Sequence, residues 1–159
     1  MAQNLPSLDL VFEAAQKELD FQFEQINSLD TKASISLASA GIMLAALISF
    51  LTQRPAVGVS GFLIAGTILI SLSAILAVIT LWVRQFERPP DLERLRDYYI
   101  AQSAEETKIS AVDAILEAIP RNDNRIHNKF LTLTVSYAML GLGTVAIAVY
   151  FVLFLLNLS

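Results

Sequence analysis

Three stretches without a single Asp, Glu, Lys, Arg or His run through this chain: Ala33–Leu51, Val59–Val83 and Leu131–Leu156. Each is about 19 to 26 residues long, and roughly 20 apolar residues in a helix cross the hydrocarbon core of a bilayer. The remaining residues are too few and too charged to bury three such helices in a soluble core. The sequence therefore specifies an all-α integral membrane protein, with three transmembrane helices and a small cytoplasmic helical bundle. Its organisation reads as a single membrane domain over residues 1–159. A cytoplasmic amphipathic helix covers 7–32, the first span 33–52 and the second 59–83. A cytoplasmic helical segment follows over 84–128, and the third span covers 129–157.

Composition removes several chemistries. Cys is absent, which excludes disulfides, thiolate nucleophiles and Cys-based metal sites. A single His, His127, cannot build a His-based metal centre. The net charge of −4 argues against nucleic acid as a partner, because phosphate binding needs a basic face. The first thirty residues lack a basic n-region and a small-residue cleavage site, so the first span is expected to act as an uncleaved insertion signal.

Charges set the topology. Lys17 and Lys32 precede the first span, and eight basic residues from Arg84 to Lys129 lie between the second and third, whereas only Arg54 lies between the first two. By the positive-inside rule the N-terminus and the long middle segment are cytoplasmic and the C-terminus lies outside. The Gln53–Gly58 turn carries Pro55, which lacks an N–H and pushes Arg54 out of helical geometry, so the first two spans are expected to form a tight antiparallel hairpin.

Leu8, Phe12, Ala15, Leu19, Phe23 and Ile26 recur at alternating spacings of three and four, which places them on one stripe of a helix. Asp9, Glu13, Gln16, Lys17, Asp20 and Glu24 cover much of the rest. Nothing from Leu29 to Ser34 breaks a helix, so this one is expected to continue into the first span for about 45 residues. Its polar face is acidic, unlike the Lys/Arg-rich faces of helices that lie flat on bilayers. Beyond the second span, Pro89-Pro90 stops the helix. A second amphipathic pattern then runs from Leu92 to Ile119, weakest near Gln102–Lys108, where Ser103 and Glu106 have capping-box spacing. Ile119-Pro120-Arg121-Asn122-Asp123-Asn124 is expected to be a turn.

Within the spans, small residues recur at helical spacing: Gly41, Ala45 and Ser49 on the first, Gly61 with Ala65 and Ser73 with Ala77 on the second. Small residues let backbones approach closely, and that close approach supplies much of the association energy in lipid. Such ridges pack either the helices of one protomer or the faces of a homo-oligomer. No ionisable group enters the spans, which argues against a pump or secondary transporter.

Two local patterns carry charge near the bilayer. At the entry of the first span, Asp30 and Lys32 lie two apart and point to different sides of a helix. Either Lys32 snorkels to headgroups while Asp30 stays wet, or Asp30 faces inward and pairs with a base such as Arg125 or Lys129. The second pattern, Arg121 with His127 after five residues, has the spacing of a metal-free ribonuclease motif. Its setting in an acidic chain against the bilayer fits interface anchoring instead, and no catalytic residue is assigned.

The run Glu18-Leu19-Asp20-Phe21-Gln22-Phe23-Glu24-Gln25-Ile26-Asn27-Ser28-Leu29-Asp30-Thr31-Lys32-Ala33, which leads into a small-residue span, resembles the transmembrane Pycsar effector family, as does Asn128-Lys129-Phe130 at the opening of the last span. The resemblance implies an anti-phage protein that impairs the bacterial inner membrane on a cyclic-nucleotide signal. On matching positions it points to Asp30, Lys32 and Ala33. Some family members carry a separate cyclic-nucleotide-binding domain, for which these residues leave no room. A cyclic nucleotide or a partner protein is therefore expected at the cytoplasmic helices.

Together these readings give a non-enzymatic membrane effector without cofactor or metal, whose partners are the lipid bilayer and further copies of itself. The alternative is a membrane scaffold or accessory subunit that binds a partner through its cytoplasmic helices.

Overall fold

A computed structural model of the chain describes residues 6–53, 60–82 and 103–156. All of its regular structure is α-helical: α1 spans Pro6–Gln53, α2 spans Gly61–Leu81 and α3 spans Ala104–Leu156. The expected all-α membrane architecture holds. Each of the three helices contains a stretch long and apolar enough to cross a bilayer. Of the expected Gln53–Gly58 turn, Gln53 is the last residue of α1 and the rest lies outside the described residues, as do the Pro89-Pro90 stop and the first half of the amphipathic segment after it.

Local chemistry explains most of the ends. Ser60 caps α2, its hydroxyl accepting from the Leu63 amide at 3.3 Å. At the other end of α2 the Trp82 amide bonds the Ile79 carbonyl, and the indole is exposed, as suits a residue at the lipid–water interface. The capping box at the start of α3 forms as its spacing predicts. The Ser103 amide and hydroxyl both donate to Glu106 Oε2, and the Glu106 amide donates back to the Ser103 hydroxyl.

One expectation is overturned. Ile119–Asn124 is not a turn, since α3 passes through Pro120 without interruption. Proline there removes one backbone bond, at a typical cost of about 3 kcal/mol. The helix survives because its face is committed to packing: Val112, Ile115, Ala118, Asn122 and Ile126 are buried around the proline while Pro120 itself is exposed. Tertiary burial thus outweighs the local preference of Pro, Asn and Asp for loop geometry.

The described residues fall into two units, divided inside α1 between Asn27 and Ser28 and inside α3 between Asn128 and Lys129. In the polar unit, residues 6–27 of α1 meet residues 103–128 of α3. Ala15, Leu19 and Ile115 form its core, with Phe12, Phe23 and Ile119 packed around them. Asp9 pairs with Lys108, whose ammonium also lies 5.6 Å from the centre of the Phe12 ring.

The apolar unit contains α2 and the rest of α1 and α3. Its buried positions alternate by three and four: Leu29, Ala33, Ser36 and Ala40 on α1, Leu63, Gly66, Ile70, Ser73, Ala77 and Thr80 on α2. That is the 3.5-residue repeat of a coiled-coil seam. Contacts between α1 and α3 join residues 99 to 101 apart in sequence, so the two helices run parallel. Those between α2 and α3 pair Gly66 with Gly143 and Ser73 with Ser136, so numbers fall on one as they rise on the other. The helices are therefore antiparallel.

Candidate functional site

Among the described residues no charge-lined cleft or catalytic constellation stands out, so the candidate site is the interior of the membrane unit, built layer by layer from three helix faces. At its centre lie Ser36, Ser73 and Ser136, one from each helix and all fully buried. The Ser73 hydroxyl donates to the Ser136 carbonyl at 2.8 Å, and the Ser136 hydroxyl returns the bond to the Ser73 carbonyl at 2.9 Å. Both protons are then committed. The 3.2 Å contact between the Ser36 and Ser136 oxygens therefore has Ser36 as its donor, which satisfies all three hydroxyls.

Most other hydroxyls in the spans bond the carbonyl one turn back, as expected for Ser and Thr in lipid: Ser34, Thr67, Ser71, Thr80, Thr134 and Thr144 all do. The three central serines differ because small neighbours bring their helices close enough to bond across. Two turns from this layer the backbones of α2 and α3 touch. A Cβ at Gly66 would lie 3.0 Å from the Gly143 carbonyl oxygen and 2.6 Å from Ile147 Cγ1; one at Gly143 would lie 3.0 Å from the Gly66 oxygen and 2.8 Å from Ile70 Cγ1. Only glycine on both helices permits that approach.

The two readings left open for Asp30 are now separated. Lys129 Nζ lies 2.7 Å from Asp30 Oδ1; the Lys129 side chain is 4% exposed and that of Asp30 36%. Asp30 faces inward and partners the base that opens the third span. Lys32 points outward, while its carbonyl accepts the Tyr137 hydroxyl at 2.9 Å. Ala33 is fully buried, so its methyl is the small surface that α1 presents next to the ion pair.

The ridge of Gly41, Ala45 and Ser49 and the pair Gly61 and Ala65 lie on exposed faces. A Cβ added at Gly41 or Gly61 would meet nothing within 4 Å. These residues do not form the seams between helices of one chain, whereas Ser73 and Ala77 do. Arg121 and His127 also fail to converge. They stand six residues apart on one helix, roughly 120° around its axis, and Arg121 bonds Glu117 one turn back.

Sequence reasoning passed over Gly66, Gly143, Gln22 and Tyr150. The three-and-four spacing that runs through Ala15, Leu19 and Ile26 also includes Gln22, which is 2% exposed and donates to the Ile119 carbonyl and Asp123. That spacing was the available signal, masked by the amide's polarity. Tyr150 sits at the far end of the spans in a cluster with Leu47 and Leu63, ringed by Phe50, Phe151 and Ile147. Phe50 and Phe151 meet edge to face, centroids 4.9 Å apart.

A family model described as the Pycsar effector protein domain matches residues 14–156. That range reaches into both units and contains the serine layer, the glycine contact and the Asp30–Lys129 pair. Comparison with curated proteins and with solved structures yields no match.

Proposed function

This chain belongs to the Pycsar effector family, and from that premise we propose that it acts on the bacterial inner membrane as a non-enzymatic effector, breaching the bilayer after a cyclic-nucleotide signal. The observation that carries the reading is the family match over residues 14–156, which spans three membrane-crossing helices. The signal is received at the cytoplasmic helices or by a partner docked on them. The N-terminus is cytoplasmic and the C-terminus outside, consistent with the basic residues gathered before the first span and between the second and third.

A breach requires several copies, because the centre of one protomer is closed by Ser36, Ser73, Ser136 and the glycine contact, which leave no path along it. The exposed small residues Gly41, Ala45 and Ser49 support contact between copies, since close backbone approach is what joins helices in lipid. Expression with a matching cyclase, followed by dye uptake, tests the proposal. Dye should enter only when the nucleotide is made, and Gly41→Leu should abolish entry while leaving the protomer folded. Membranes that stay intact under every nucleotide tried would count against the effector and favour the scaffold alternative, which a stoichiometric partner in a pulldown of the native complex would then support.

A further inference from the structure

We infer that the α1–α3 seam of the membrane unit is the one that parts when the effector acts, and that the Asp30–Lys129 pair is the latch holding it shut. The inference deepens the effector reading and rests on it.

The two seams onto α3 differ in kind. Separating α2 from α3 would undo backbone contact at Gly66 and Gly143 and two reciprocal serine bonds, all of them buried. By contrast, α1 makes no backbone contact of that kind: polar side chains tie it to the same helix at one end, Asp30 to Lys129, Tyr137 to the Lys32 carbonyl and Ser36 to Ser136, and an apolar cluster around Phe50 and Phe151 at the other. Farther along, the α1–α3 seam is apolar and carries a groove on one side. A hollow of about 180 Å³ lies there, lined by Met43, Ala46, Leu47, Thr144, Ile147 and Phe151, every one of them from α1 or α3. The groove is half open to its surroundings, so lipid can cover its walls, while Phe50 still meets Phe151 edge to face beside it.

Lys129 supplies the holding force. An ammonium that is 4% exposed at the mouth of a membrane span is stabilised by a carboxylate that faces it, and Asp30 supplies one at 2.7 Å. Moving α1 away would strip Lys129 of Asp30. Tyr150 acts in the opposite sense. Its hydroxyl is buried at the other end and has no hydrogen-bond partner among the described residues. A parted seam would let water or a lipid headgroup reach it. One contact that favours closure and one unmet polar group that opposes it are the ingredients of a two-state element.

The absence of Cys allows clean labelling. Ile42→Cys and Leu142→Cys place spin labels on exposed faces of α1 and α3, at matching levels of the seam. Pulsed electron paramagnetic resonance on the full chain in phosphatidylethanolamine–phosphatidylglycerol vesicles then reads their separation. Asp30→Asn, close to isosteric, should add a longer-distance population. The expected rise in the parted fraction is about tenfold, discounted from a fully buried pair because Asp30 is one-third exposed. Exchanging the charges, Asp30→Lys with Lys129→Asp, should remove that population, and Tyr150→Phe should lower it. Distances unmoved by Asp30→Asn overturn the latch; so does a longer population that the exchange leaves in place. Dye uptake in parallel separates the two claims. Shifted distances with no uptake in any variant refute the effector reading, whereas uptake on signal with unmoved distances refutes the latch alone.

Discussion

The two units of this chain use the same helices under different solvents and hold them together by different means. In the polar unit, α1 and α3 meet through large side chains, Leu19 and Ile115 at the centre with Phe12 and Phe23 beside them, and charges such as Asp9 and Lys108 remain partly exposed around the core. In the membrane unit many large side chains face outward, Ile35, Ile42, Ile48, Ile64 and Ile68 among them, and the middle of the interior mixes Gly, Ala and Ser with a few large residues such as Leu63 and Ile70. Water rewards burial of apolar area, so size is valuable inside the polar unit. Lipid is as apolar as leucine, so association within it depends on close approach and on hydroxyls that find partners. Bulk therefore stabilises the core of the polar unit and disrupts the membrane unit where Gly66 meets Gly143.

The sharpest way to break this comparison is to add volume where the membrane unit has none. Gly143→Leu places a side chain against the Gly66 carbonyl and the Ile70 amide, which are backbone and cannot turn aside. Leucine's better helix propensity recovers roughly 1 kcal/mol at most. A net loss of about 3 kcal/mol or more is expected, read by equilibrium unfolding in mixed detergent micelles. A variant as stable as the parent would show that the two helices do not touch there.

The converse substitution tests the polar unit. Ile115→Ala removes volume from a nearly fully buried position against Ala15 and Leu19, and should cost about 2–3 kcal/mol, the lower half of the usual range because a two-helix core can partly collapse. Hydrogen exchange on residues 6–27 and 103–128 would register it as faster opening there. Equal acceleration in the spans would contradict the division into units.

The smallest effect is expected from Ser136→Ala, which removes the Ser136 hydroxyl and leaves Ser36 without an acceptor. Interhelical hydrogen bonds in lipid average about 0.6 kcal/mol, so a loss near 1 kcal/mol is expected in the same micelle assay. Ser34→Ala is the control, because its bond lies within one helix turn. If the two variants cost the same, the central layer contributes nothing between helices.

Much of the architecture was legible. Uncharged runs over Ala33–Leu51, Val59–Val83 and Leu131–Leu156 needed only the thickness of a bilayer to become spans, and Ser103 with Glu106 needed only capping chemistry. Pro120 misled because its local preference is strong and the sequence alone does not weigh it against the packing of Ile115, Asn122 and Ile126. The entry motif was visible as Asp30-Thr31-Lys32-Ala33, yet its nearer base, Lys32, is not the partner; Lys129, 99 residues away, is.

By itself, then, the sequence determined solvent: which segments must live in lipid, which in water, and which family they resemble. Those properties are additive along the chain and survive without coordinates. Tertiary structure alone decided which small residues face one another. Gly41 and Gly66 are both glycines inside uncharged spans, but one looks outward and the other touches Gly143. Rotation of a uniformly apolar helix about its axis leaves its hydropathy unchanged, so only the packed bundle selects the face.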